Sequence, residues 1–208
     1  MKALGLHLGV LLTLALAGLL LPDYHQGMLT RVLVMAVFAT GYNLAFGYTG
    51  LLSLGHALHF SAGMMAAGLA MRDGMAPEAA LPLGALAGTV SAALTGILAL
   101  RTKGVSFMIV TLMFAQAFYL TLLYFGAFTG GDEGFPLPGS ARQMFGLDLT
   151  QPGPRFTVAL LLFGIALLVQ AALVRGRFGR SMVAIRENEE LLMRSEEHTS
   201  ELQSPCNL

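Results

Sequence analysis

The chain has 208 residues, of which 55% are hydrophobic and only 12% charged, with a mean hydropathy of +0.69. Soluble domains carry about a quarter of their residues as charges, so this composition excludes one and describes a protein solvated by membrane lipid. Lys and Arg total 12 against 12 Asp and Glu; without a basic stripe nucleic-acid binding is excluded, and without a GxxxxGK[ST] loop any ATP chemistry belongs to a partner. The lone Cys206 allows no internal disulfide.

The charges fall in clumps and leave uncharged runs at 3–22, 32–71, 79–100, 104–131 and 156–174. A bilayer needs about 20 apolar residues per helix, and the second run is long enough for two crossings. The expected fold is therefore an all-α, polytopic bundle of about six spans. The first run pairs Lys2 with an Ala15-Leu16-Ala17 triplet, as a cleavable signal peptide would, yet it stays apolar through Leu19, Leu20 and Leu21, as a retained helix does.

Inside the second run lies NLAFGYTGLLSLGHALHFSAG, Asn43 to Gly63, where glycines mix with Asn43, Tyr48, Thr49, Ser53, His56, His59 and Ser61. Backbone groups freed by unwinding need partners in hydrocarbon, so a broken or re-entrant segment at this place points to a pathway. Helix ends there offer a positive dipole to a carboxylate, and unwound carbonyls accept from an ammonium, which suits a zwitterion. Two plainer roles compete: glycines at four-residue spacing for close helix packing, or a simple turn at Gly47 between two spans. His56 and His59 share a helical face, but no carboxylate lies between Arg31 and Arg72 to complete a zinc site; neutral hydrogen-bonding imidazoles turned to the bundle interior are expected.

In the 104–131 run, Gln116 is an amide that needs a partner other than lipid, and Thr111 falls on another face. The connection from about 127 to 154 carries a glycine-rich acidic turn, Thr129 to Gly134, of the kind that usually links elements in solvent. Residues 175–193 read as a basic turn, with Arg175, Arg177 and Arg180, leading into a short amphipathic helix. Met182, Ile185, Glu189 and Leu192 recur at three- and four-residue spacing. Apolar anchors with charges that fix register suit docking to a soluble partner, and Glu187, Glu189 and Glu190 oppose an anionic lipid surface. Counted by alternate loops, Lys2, Arg101, Lys103, Arg175, Arg177, Arg180 and Arg186 share one side against Arg31, Arg72, Arg142 and Arg155, which puts the N-terminus in the cytoplasm.

From 194 to 208 the composition turns polar and aperiodic, in a string similar to adapter read-through; it is expected to be a non-native tail on a C-terminally truncated permease domain of residues 1–193.

The segment GYTGLLSLGH resembles the signature of branched-chain amino acid ABC importer permeases, and RTKGVSFMIVTLMFAQ, TGGDEG and GRFGRSMVAIRENEE are similar to further family stretches in the same order. The likeness covers about 28–193 and is nearest the LivM-like subunit. It implies a multi-pass subunit of the bacterial inner membrane that catalyses nothing covalent and holds no cofactor. The implied partners are ATP-binding cassette subunits, a second homologous permease subunit and an extracytoplasmic substrate-binding protein. The expected pathway residues are Asn43, Tyr48, Thr49, Gly50, Ser53 and His56 of the glycine segment and, as an amide at mid-membrane, Gln116; the expected ATPase coupling residues are Gly179, Arg180, Arg186, Glu187, Asn188 and Glu189. Departures at Leu58, His59, Met64, Met65 and Gln116 bear on substrate, and permeases for urea and short amides share much of the pattern. An ion-coupled carrier would need an acidic residue in the uncharged runs, and an intramembrane metalloenzyme would rest on His56 and His59.

Overall fold

A computed structural model describes residues 2–187. The first helix, α1 (Lys2–Leu20), is apolar around its circumference, and Pro22, in an extended conformation, ends it and opens α2 (Asp23–Asn43). Gln26 reaches back and donates to the carbonyls of Gly18 (2.9 Å) and Leu21 (3.0 Å), satisfying acceptors that the end of α1 leaves open. A π-turn, Leu44–Tyr48, continues α2 before the chain leaves the helix.

The later helices are α3 (His56–Arg72), α4 (Pro77–Ala99), α5 (Val105–Tyr124), the single turn α6 (Gly126–Thr129) and α7 (Pro152–Arg175). A further helix, α8, begins at 177 and continues to the last described residue, 187. The only strands among the described residues are a two-residue pair, β1 (Gln143–Met144) and β2 (Leu147–Asp148), in the α6–α7 connection.

Among the described residues six long helices thus match the uncharged runs, and four helices are both long and apolar enough to cross a membrane: Asp23–Tyr48, α4, α5 and α7. In α1 the apolar stretch is His7–Leu20. In α3 there are 17 residues, about 25 Å at 1.5 Å per residue, because the 40-residue uncharged run spends residues 49–55 on a non-helical connection.

Two packed groups emerge. In one, Leu33 of α2, 2% exposed, is enclosed by Phe156, Ala159, Phe163 and Leu167 of α7. Antiparallel α1 closes that group, with Gly18 so close to the Phe156 ring that any side chain there would overlap it, and Leu11 against Gly164. In the other, α3 and α4 pack backbone to backbone: a Cβ on Gly63 would lie 2.8 Å from the Gly84 carbonyl, and one on Gly84 would lie 2.7 Å from that of Gly63. Close approach through small residues is how helices associate where lipid removes the hydrophobic drive. An aromatic seam joins the groups, with His56 ring centroids 5.2 Å from Phe38 and 5.5 Å from Tyr42, and Phe38 5.5 Å from Phe60.

The helices alternate in direction, which gives the bundle two distinct ends. At the loop end, Arg72 holds the long connection by donating to the Phe128 carbonyl at 2.6 Å and lying over the Phe128 and Phe135 rings. Glu78 accepts from the Phe145 amide at the same end. The glycine-rich turn is shaped by its glycines: Gly130, Gly131 and Gly134 all have positive φ (79°, 55° and 71°), which other residues adopt at a cost. At the opposite, foot end lie the 49–55 connection, the α4–α5 turn and α8.

Replacing Gly84 with leucine should separate α3 from α4 and destabilise the fold by about 1–3 kcal/mol or more, the cost of overpacking. Gly96→Leu, at a position with open space, should stay within about 0.5 kcal/mol of the parent, as surface changes do. Detergent unfolding of the two variants side by side measures the difference.

Candidate functional site

The polar glycine segment resolves into the π-turn, the 49–55 connection and the start of α3. With its π-turn, α2 runs for 26 residues, about 39 Å against a hydrocarbon thickness of about 30 Å. The connection therefore sits toward the foot end, between two antiparallel spans. The turn expected at Gly47 falls instead just after Tyr48, because Gly47 is still helical and the Asn43 side-chain oxygen fills the space that a Cβ on Gly47 would need.

Closure of α2 follows the usual logic of a helix C-terminus, where a left-handed residue, usually glycine, turns the chain. Gly50 supplies it, with φ +73°. Its amide donates to the Phe46 carbonyl (3.1 Å) and that of Leu51 reaches back six residues to Ala45 (3.1 Å), one residue wider than an α-helical end because the last turn is a π-turn. Thr49 donates its hydroxyl to the same Ala45 carbonyl.

The rest of the connection is pinned to α5. Leu54 N–H donates to Thr111 Oγ1 (3.1 Å), whose own hydroxyl donates to the Met108 carbonyl (3.0 Å), and the Gly55 amide donates to Ser53 Oγ (3.3 Å). Gly55 is buried against the Thr111 carbonyl, where no side chain fits. These partners meet the demand that irregular backbone in an apolar bundle be satisfied by protein. Beyond it, His56 opens α3 in the aromatic seam, and His59 Nδ1 lies 3.2 Å from Ser91 Oγ. The two imidazoles stand 6.1 Å apart, centroid to centroid. Among the described residues no group of three His, Cys, Asp or Glu is placed to hold a metal ion.

The foot closes over this connection. Gly176 ends α7 and Gly179 is buried so tightly on the Val174 carbonyl that a Cβ would collide with it. That contact turns the chain into α8, whose Met182, Val183 and Ala184 are half-buried. Arg186 then extends its stem over Gly50, where a Cβ would come within 2.8 Å of Arg186 Cγ, and donates from Nη1 to the Gly47 carbonyl at 2.8 Å. A guanidinium on a carbonyl of the last turn of α2 both fills an open acceptor and complements the negative end of the helix dipole. A concavity of about 320 Å³ opens beside it, lined by Val174, Gly179, Arg180, Val183, Ala184 and Glu187.

The structure thus brings Asn43, Tyr48, Thr49, Gly50, Ser53 and His56 together around one connection, and Arg186 joins them from the expected coupling segment. Gln116 stands apart, exposed on the outer face of α5. Thr111, which sequence reasoning did not choose, is the α5 side chain that meets the connection; a hydroxyl in an apolar helix was the visible signal, and its partner lies 57 residues away. Asn188 and Glu189 lie outside the described residues, as do the end of the coupling segment and the 194–208 tail.

The family described as branched-chain amino acid transport system, permease component, matches residues 25–194. The chain belongs to this family. It is 29% identical over 187 residues to the high-affinity branched-chain amino acid transport system permease protein LivM of Salmonella typhimurium, covering 77% of this chain and 43% of that protein. The LivM of Escherichia coli K12 is 28% identical over the same length and shares. The chain therefore spans less than half the length of these curated relatives. No solved structure matches it.

Thr111→Val should leave the part-buried Leu54 amide without its acceptor and cost about 0.5–1.5 kcal/mol, the net worth of one hydrogen bond, while Thr111→Ser should restore most of it. Hydrogen exchange at Leu54 is the direct readout, with faster exchange expected in the valine variant alone.

Proposed function

We propose that this chain is a permease subunit of an ATP-driven importer for branched-chain amino acids, multi-pass in a bacterial inner membrane, with its N-terminus and foot end in the cytoplasm. The observation that carries the reading is the seating of a basic helix, α8, on the end of α2 and the Gly50 turn that follows it, in a chain from a transport-permease family. Lys2, Arg101, Lys103, Arg175, Arg177, Arg180 and Arg186 belong to the foot end, and such an excess of Lys and Arg marks the cytoplasmic side.

The substrate class rests on the LivM relatives, whose names specify high-affinity branched-chain amino acid transport. A zwitterion with an aliphatic side chain suits the seam between the two helix groups. The α3 N-terminus attracts a carboxylate, and Phe38, Tyr42 and Phe60 give apolar surface. Asn43, Tyr48, Thr49, Gly50, Ser53 and His56 would form the cytoplasmic part of that route. Gln116, exposed in a span, fits contact with a second homologous permease subunit, because its amide needs a polar partner.

The chain itself carries out no covalent step. The concavity beside α8, with apolar Val174, Val183 and Ala184 flanked by Arg180 and Glu187, would receive an ATP-binding cassette subunit, and the loop end would meet an extracytoplasmic binding protein. Hydrolysis by the ATPase subunits would then supply the force for alternating access.

The double variant Arg180→Ala with Glu187→Ala should insert normally, co-purify with the ATPase subunit at roughly a tenth of the parent level, and lose uptake, since truncating charged partners at an interface costs a few kcal/mol. Undiminished co-purification would refute the docking surface. Uptake by the complete transporter should favour leucine, isoleucine and valine over urea, and the reverse preference would refute the substrate class.

A further inference from the structure

We propose that Arg186 is a positioning residue inside the transporter, not a contact with the ATPase: it locks the end of α2 to the foot and passes motion of α8 to the 49–55 connection. The proposal rests on the docking role of α8 given above, but assigns its residues to two different faces.

The geometry separates them. Arg180 and Glu187 line the concavity beside α8, together with Val183 and Ala184. Arg186 does not line it and lies over the end of α2, with its stem on Gly50 and its Nη1 on the Gly47 carbonyl at 2.8 Å. That carbonyl belongs to a π-turn. A π-turn holds one residue more per turn than the α-helix around it and recurs at functional places in helices, so gaining or losing it re-registers everything downstream. Here the downstream residues are Thr49 to Gly55, which bond to Ala45, Phe46 and Thr111.

A continuous set of contacts therefore runs from α8 through Arg186 to the π-turn, across the connection, and onto α5 at Thr111 and α3 at His56. Coupling requires an element with two arrangements that both sites bias, and in this proposal that part falls to the π-turn with its Arg186 cap. Gly50 has two reasons to lack a side chain: its positive φ and the passage of the Arg186 stem.

The test uses the complete importer, with its partner subunits, in liposomes, comparing Arg186→Ala, Arg186→Lys and the Arg180→Ala, Glu187→Ala pair. Arg186→Ala should keep ATPase co-purification and ATP hydrolysis within about twofold of the parent, yet lower uptake and speed hydrogen exchange at Gly50 and Leu51 by roughly tenfold each, as loss of one charge-assisted hydrogen bond would. Arg186→Lys, which keeps a cationic donor, should recover a substantial part of both.

If Arg186→Ala loses co-purification as completely as the double variant, Arg186 is a docking contact and the proposal is overturned. Unchanged uptake, or unchanged exchange at Gly50 and Leu51, overturns it equally. If the double variant keeps its ATPase while Arg186→Ala still uncouples uptake, the docking surface is refuted and the Arg186 assignment stands.

Discussion

A helix end leaves carbonyls that its own turns cannot satisfy, and the end of α2 meets that constraint in a way that organises the foot. Its left-handed Gly50, the six-residue closure from Leu51 to Ala45 and the Thr49 hydroxyl take up part of the demand. The Gly47 carbonyl is taken up by a residue 139 positions later, Arg186. One hydrogen bond thereby ties the first third of the chain to its last described helix, and a local requirement of backbone chemistry becomes a link between the glycine segment and α8.

Glycine serves two separate purposes around that link. Between α3 and α4, Gly63, Gly84 and Gly88 let backbones touch, which supplies packing where burial from water does not. At Gly50 and Gly179 the absence of a side chain instead sets the path of the chain, once through positive φ and once through contact with the Val174 carbonyl. The first kind brings α3 and α4 into backbone contact. The second places α8 against the connection, so a closely packed helix pair and the foot stand on either side of His56.

Much of this was legible in the sequence. Uncharged runs located all six long helices, since charge in hydrocarbon is costly whatever the tertiary fold, and basic residues at alternate turns already separated the two ends. The glycine segment stood out because polar residues and glycines seldom crowd a span. Family membership followed from GYTGLLSLGH and the ordered stretches after it, and the match over 25–194 bears it out. Less accessible was anything that depends on register or distance. The chain turns after Tyr48 and not at Gly47, because the Asn43 side chain and Gly47 complement one another within a π-turn. Gln116 looked the more polar choice on α5, but five residues of helix put Thr111 inward and Gln116 outward. The contact of Arg186 with Gly47 had no local signal, for charge periodicity on α8 says which residues share a face and not what that face touches.

The central claim is that α8 is fastened to the end of α2 through Arg186, and solid-state NMR of the bilayer-embedded transporter tests it most directly. With 13C at the Gly47 carbonyl and 15N in the Arg186 guanidinium, the account predicts a dipolar contact matching the 2.8 Å hydrogen bond, at least in the resting complex. Absence of that contact in every state, resting and nucleotide-bound, would contradict it.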